Sequence, residues 1–175
     1  MSLIVTLWRI CTFSAGPQDL PHNPALTRNL VLASALSGLL FTVLMDAAQP
    51  LPQVLLAVLL LLAVPHVLLD LRGRRERYTQ TLAALAGTDA LFTLGFLPLA
   101  LVAQRDLPVE PGGDLDPAQL ALGWAMLAVF VWKLVVVGHV FRHALEIPRA
   151  VGVLLALAWF AAELTLVQAV LGSAA

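Results

Sequence analysis

The sequence predicts an all-α integral membrane protein, a bundle of five transmembrane helices preceded by a short interfacial helix. Hydrophobic residues make up 60% of the 175 residues, charged residues only 12%, and the mean hydropathy is +0.90. Soluble domains carry about twice that share of charge. Apolar stretches of about 20 residues, the length that crosses a bilayer as a helix, also recur along the chain.

The first 28 residues are predicted to be a short amphipathic helix followed by a proline-rich connector. Residues 2–13 are too few to cross a membrane, and Trp8 and Arg9 are typical anchors at its surface. A basic stretch is missing before this apolar run, so we expect a retained segment rather than a cleaved signal. The single cysteine, Cys11, excludes an intramolecular disulfide and is expected to pack as a small apolar residue. Three prolines between residues 17 and 24 forbid a continuous helix and favour an extended connector.

Residues 29–175 are predicted to form the transmembrane domain. Its five spans cover, in order, about 29–48, 53–71, 78–103, 119–141 and 150–171. Pro65 and Pro98 fall inside spans, where a membrane helix tolerates proline if its neighbours satisfy the freed carbonyl. Between the third and fourth spans, residues 104–118 form an acidic loop with a glycine pair. We expect a solvated linker there, because the loop lacks the ligand spacing of a calcium-binding EF-hand.

The distribution of arginines predicts the orientation of the chain in the membrane. The N-terminal segment and the loops after the second and fourth spans hold nearly all of them, and the opposite side has only Arg105. The positive-inside rule then predicts a cytoplasmic N-terminus and a C-terminus outside. In a bacterial inner membrane, the expected location, the C-terminus would be periplasmic. The loop after the second span is also expected to contact anionic lipid head groups through Arg72, Arg74, Arg75 and Arg77.

Asp89 and Lys133 carry opposite charges deep inside consecutive spans. A charge at this depth costs roughly 2.5–3.5 kcal/mol on insertion scales, so it normally faces a partner or a cavity. At 1.5 Å per residue the two depths agree within one turn, which predicts a structural ion pair; the alternative is a proton or ion relay. Glu163, in the last span, has no basic partner of its own and is the best single candidate for a titrating group. Its expected role is nevertheless that of a neutral acid hydrogen-bonded to a neighbouring helix.

Three histidines near the arginine-rich ends of the predicted spans could belong to a metal site. His66 and Asp70 are four residues apart, as are His139 and His143. Hydrogen bonding at helix interfaces is expected, and a metal site is the alternative. Since no His-Glu-x-x-His pattern occurs, we predict no metal or other cofactor. The predicted ion or proton path, if one exists, runs through Glu163, Asp89, Lys133 and His66.

Short motifs carry a resemblance to known proteins. Residues 17–24 (PQDLPHNP), 77–82 (RYTQTL) and 86–91 (AGTDAL) resemble small uncharacterised inner-membrane proteins of Gram-negative bacteria. The five-span arrangement is similar to the Yip1 domain, a family of membrane trafficking and membrane organisation. This resemblance implies a role in membrane organisation. The chain is expected to lack a GTPase partner, because it has no long cytosolic N-terminus like that of the eukaryotic members.

The sequence therefore predicts a non-enzymatic scaffold or accessory subunit. Its expected partners are membrane lipids and another membrane protein, or a second copy of itself in a homo-oligomer. The alternative is a small oligomeric transporter or channel that uses Asp89, Lys133 and Glu163. Catalysis has no support, since no nucleophile lies at a readable spacing from a base. A net charge of −1 argues against a nucleic-acid partner.

Overall fold

A computed structural model describes residues 2–106 and 116–171, and within these ranges the chain forms six α-helices and no strand. Single 3₁₀ turns occur at Pro17–Asp19 and Arg75–Arg77. The helices are, in order, α1 (Leu3–Cys11), α2 (Pro24–Leu44), α3 (Pro50–Leu71), α4 (Tyr78–Asp106), α5 (Pro117–Leu145) and α6 (Arg149–Leu171).

Five of these helices, α2 to α6, are long and apolar enough to cross a membrane, with mean hydropathies of 1.5 to 2.6 over their most apolar windows. The predicted all-helical bundle with five candidate spans is confirmed. Helix α1, with 9 residues, is too short to cross, as expected. Most of the predicted acidic loop, including its glycine pair, falls at positions 107–115 and lies outside the described residues.

The first span differs most from its predicted bounds, because α2 begins and ends four or more residues earlier. Asn23 caps its start by accepting hydrogen bonds from the backbone N–H groups of Ala25 and Leu26, and Pro24 fits the first helical position. At the other end, Asp46 adopts a left-handed conformation (φ 53°), and the Ala47 N–H bonds back to the Thr42 carbonyl. The proline at position 50 therefore starts α3 rather than ending α2.

Helix α4 is the centre of the bundle. It packs along α2 on one side and α5 on the other, α6 pairs with α5, and α3 bridges α2, α4 and α6. The start of α2, the α3–α4 loop and the α5–α6 loop meet at one end, which we call the basic end. The α2–α3 loop lies at the other, the far end, where the Gln104 amide donates to Asp46 (3.4 Å).

Packing is unequal along the length of the bundle. Toward the basic end, α4 is buried on all sides from Thr81 to Thr88. Toward the far end, α2 and α4 remain packed together, with Thr42, Ala100 and Ala103 buried. By contrast, no residue of 50–60 in α3, 117–135 in α5 or 157–170 in α6 is buried within the described chain. Three helices therefore present uncovered faces in the far half.

Helices α5 and α6 cross closely at two glycines. A Cβ atom on Gly152 would lie 2.4 Å from the Gly138 carbonyl oxygen, and one on Gly138 would lie 2.8 Å from the Val153 Cα. Only glycine permits this approach, because the atoms in the way belong to the backbone. The crossing lies near the basic end, which is consistent with the loss of burial farther along both helices.

Helix α1 and the connector are docked against α4 and α5. Leu7 packs over Gly87 of α4, and the Trp132 indole N–H of α5 donates to the Cys11 carbonyl oxygen (2.9 Å). Trp132 is about 20 Å along α5 from its basic end, so the contact reaches the middle of that helix. Burial raises the pKa of the Cys11 thiol to about 11. The apolar residues on the other face of α1, Ile4 and Trp8 among them, are exposed.

Candidate functional site: a polar cluster within the bundle

Four polar residues, each from a different helix, come together near the middle of the bundle. Lys133 Nζ lies 2.8 Å from Asp89 Oδ1, and the Ser34 hydroxyl donates to Asp89 Oδ2 at 2.6 Å. Glu163 is close enough to interact electrostatically with Lys133 and Asp89. We call these residues, Ser34, Asp89, Lys133 and Glu163, the polar cluster. The two charges that the sequence placed at equal depth therefore form an ion pair.

Ser34 belongs to a stripe of hydroxyl residues on the buried face of α2. Thr42 and Ser37 donate to carbonyl oxygens of their own helix, which satisfies their hydroxyls locally. Ser34 instead donates across to α4. This role was not predicted from the sequence, although hydroxyl groups that recur on one face of an apolar helix, at positions 27, 34, 37 and 42, indicate a polar contact along that face.

Aromatic residues and α1 hold the lysine in place. Trp132, which precedes it, makes edge-to-face contacts with Phe92 of α4 at 4.9 Å and with Trp8 of α1 at 6.1 Å between ring centroids. Because these rings are packed on two sides, the backbone that carries Lys133 is fixed relative to Asp89. The docked α1 thus supports the cluster from beside it.

Glu163 differs from Asp89 in its contacts. Its carboxylate makes no hydrogen bond and no ion pair within 4.0 Å in the part of the chain that the structure describes. One ammonium group therefore faces two carboxyl groups, of which only one is directly bonded. On the same helix four residues earlier, the Trp159 indole N–H is buried without a hydrogen-bond partner among the described residues.

The side chains of the ion pair are not fully enclosed by the bundle, although the Lys133 ammonium group is surrounded by protein. About a third of each side chain is exposed, 39% for Lys133 and 32% for Asp89. Lipid tails do not solvate charge, so charged groups at membrane depth face a bundle interior, a water-filled gap or another protein. Lys133 lies within the stretch of α5 that has no buried residue, so this exposure adjoins the uncovered far half of α5.

Of the predicted path residues, His66 is not placed with the others. Its ring packs edge-on against Tyr78 at 5.3 Å, near the basic end of α3. Asp70, its expected hydrogen-bond partner, pairs with Arg75 instead. His139 and His143 do contact each other, with ring centroids 4.5 Å apart, and His139 Nε2 lies 2.9 Å from the Ala15 carbonyl oxygen. The described residues contain no group of three or more potential metal ligands.

The arginines of the α3–α4 loop are largely engaged with carboxylates. Arg74 and Arg77 both bind Glu146, which follows α5, and Arg75 binds Asp70. Hydrogen bonds from Arg77 and then from Arg74 lower the pKa of Glu146. Arg72 forms no ion pair with any described residue. Lipid head-group contact by these arginines stays a prediction, and Arg72 is the least committed of them.

No protein-family model, curated protein or solved structure matches this chain.

Proposed function

We propose that the protein is a non-enzymatic scaffold or accessory subunit of a bacterial inner membrane, which binds another membrane protein through the far half of its bundle. The observation that carries this proposal is the partly exposed Asp89–Lys133 pair at membrane depth. A charge pair that faced lipid would be costly, and a partner protein that covered it would remove that cost. This role agrees with the membrane organisation that a Yip1-like topology implies.

The uncovered faces of α5 and α6 support a protein partner over lipid alone. On α6, Ala158, Ala161 and Ala162 are exposed, and small residues allow another helix to approach closely. On α5, Trp124 is 64% exposed and offers a large apolar contact. A second copy of the chain is one such partner and would make the protein a homo-oligomer.

The test changes the α6 face without touching the polar cluster. We expect Ala158→Leu with Ala162→Leu to release the bound protein or second copy, because the longer side chains prevent close helix contact. Native mass spectrometry of complexes extracted from membranes in mild detergent measures this loss. Ala33→Leu, on an exposed position of α2, is the matched control and should keep the complex. A wild-type chain that is monomeric and carries only lipid would refute the proposal.

Transport is the second candidate, and Glu163 is the observation that favours it. A carboxyl group that shares one lysine with Asp89 can exchange a proton or a cation, and the buried Trp159 N–H offers a polar group nearby. Purified protein in liposomes with an imposed pH gradient decides between the two. A proton flux that Glu163→Gln removes, while the variant folds and assembles normally, would establish transport and displace the scaffold role.

A further inference from the structure

A cavity of about 530 Å³, lined by both apolar and polar residues, lies at the basic end, away from the polar cluster. Its walls come from three segments: the connector after α1, the first turn of α4 and the end of α5. Ligand sites typically have volumes of about 300–1,000 Å³, so the space suits a small ligand or the head group of a lipid. The polar side chains that matter for its chemistry are Arg77, Gln80, Arg142, His143 and Glu146.

Glu146 is the one acidic residue in this lining, and its charge is already balanced. Arg74 donates to both of its carboxylate oxygens, at 2.7 and 2.5 Å, and Arg77 donates to Oε1 at 2.7 Å. Arg77 is held further by a hydrogen bond to the His143 carbonyl oxygen (3.1 Å). Two guanidinium groups on one carboxylate leave the wall with a positive balance.

Arg142 supplies a cation that forms no ion pair within the described chain. It is half-buried in the cavity wall, and its guanidinium forms no ion pair and donates no hydrogen bond to the described residues. The neighbouring His143 is also half-buried. An unpaired guanidinium in a partly enclosed polar site has its full set of donors available for an anion.

We propose that this cavity binds a phosphate ester, with Arg142 as the principal contact. The planar guanidinium donates two parallel hydrogen bonds to a pair of phosphate oxygens, a geometry that carboxylates and phosphates share. The ester belongs either to the head group of an anionic lipid or to a soluble metabolite. A lipid head group can reach the cavity because the membrane surface lies at this end of the spans. The site is independent of the polar cluster, so it can be correct even if the proposed scaffold role fails.

The experiment measures binding to the purified full chain in a neutral detergent. Short-chain phosphatidic acid is the lipid probe, glycerol 3-phosphate is the soluble probe, and short-chain diacylglycerol is the phosphate-free control. We expect saturable binding of at least one phosphate probe and none of diacylglycerol. Arg142→Gln should weaken that binding roughly tenfold or more, since charge-assisted hydrogen bonds are lost. Arg142→Lys should give an intermediate affinity, because it keeps the charge without the fork.

Arg28→Gln is the matched control, since Arg28 is exposed at the same end and does not line the cavity. It should change the affinity by less than about twofold, as a screened surface charge does. Binding of phosphatidic acid alone identifies a lipid head group as the ligand. Binding of glycerol 3-phosphate, with or without phosphatidic acid, shows that the site accepts a soluble ester. The proposal is overturned if neither probe saturates, or if Arg28→Gln weakens binding as much as Arg142→Gln.

Discussion

The state of Asp89 decides how the polar cluster behaves. Both of its oxygens are occupied, one by the Lys133 ammonium and one by the Ser34 hydroxyl. These two contacts tie α4 to α5 and to α2 at the same carboxylate. Glu163 has no such bonds, so the two carboxyl groups of the cluster are not interchangeable. Asp89 fixes helices to each other, and Glu163 is the group free to change its charge.

Removing either half of the ion pair alone should destabilise the protein more than removing both. Asp89→Asn or Lys133→Met leaves an uncompensated charge at membrane depth, at a cost of about 1–3 kcal/mol, below that of a fully buried pair because the site is partly exposed. The double variant should unfold close to the wild type. Thermal unfolding in detergent measures this, and single variants as stable as the double would show that the pair contributes nothing.

At the scale of elements, the close contact between α5 and α6 depends on two glycines. Gly138 and Gly152 lie on different helices with a loop between them, so the sequence alone does not show that they are in contact. Hydropathy predicts which segments are long and apolar enough to cross the membrane. Because apolar residues occur on every side of these two helices, it does not identify the side that packs. This is why five candidate spans could be predicted from the sequence and this crossing could not.

Gly152→Ala should weaken the α5–α6 pair, because the added methyl group would collide with the Gly138 carbonyl oxygen. Overpacking of this kind costs about 1–3 kcal/mol. Gly123→Ala is the matched control on α5, since a Cβ there meets nothing within 4 Å. Unfolding in mixed micelles of increasing sodium dodecyl sulfate measures both variants. Equal stabilities would mean that the two helices separate without cost at this point.

The ion pairs of Glu146, which connect the end of α5 to the α3–α4 loop, should weaken in acid. The folded pKa of Glu146 lies below its unfolded value of about 4.3, so its contribution to stability is present above that value and is lost as the pH falls below it. The wild type should be more stable than Glu146→Gln near neutral pH, and the difference should vanish in acid. Melting temperatures of both chains from about pH 7 to about pH 3 measure this. A difference that persists at the lowest pH would contradict the assignment.

The contacts that the N-terminal segment and the arginines make with other segments could not be predicted from the sequence. A short apolar helix with a tryptophan and an arginine fits a membrane surface, so α1 was expected there, and its contacts with Gly87 and Trp132 could not be read from its own residues. Likewise, counting arginines predicts topology without showing that Arg74 and Arg77 share one glutamate. Contacts between segments distant in sequence need the fold.

At the scale of the whole molecule, one end carries nearly all the arginines and the other end very few. Since loops rich in arginine stay in the cytoplasm, the basic end should face it. Single cysteines in a Cys11→Ser background test this: Ala48→Cys at the far end and Glu76→Cys at the basic end, both exposed positions. A membrane-impermeant maleimide should label Ala48→Cys in intact spheroplasts and Glu76→Cys only after lysis. The reverse pattern would invert the orientation.

The order of the polar cluster along the chain constrains how the protein is made. Ser34 is synthesised before Asp89, and Lys133 and Glu163 follow it, so α4 reaches the insertion machinery with one hydrogen-bond partner ready and its counter-ion still missing. A lone charge costs roughly 2.5–3.5 kcal/mol at this stage. We expect α4 to wait at the translocon until α5 arrives, and nascent chains stalled before and after α5 would show α4 crosslinked to the translocon only in the first case. The ion pair thus makes two consecutive spans enter the bilayer together.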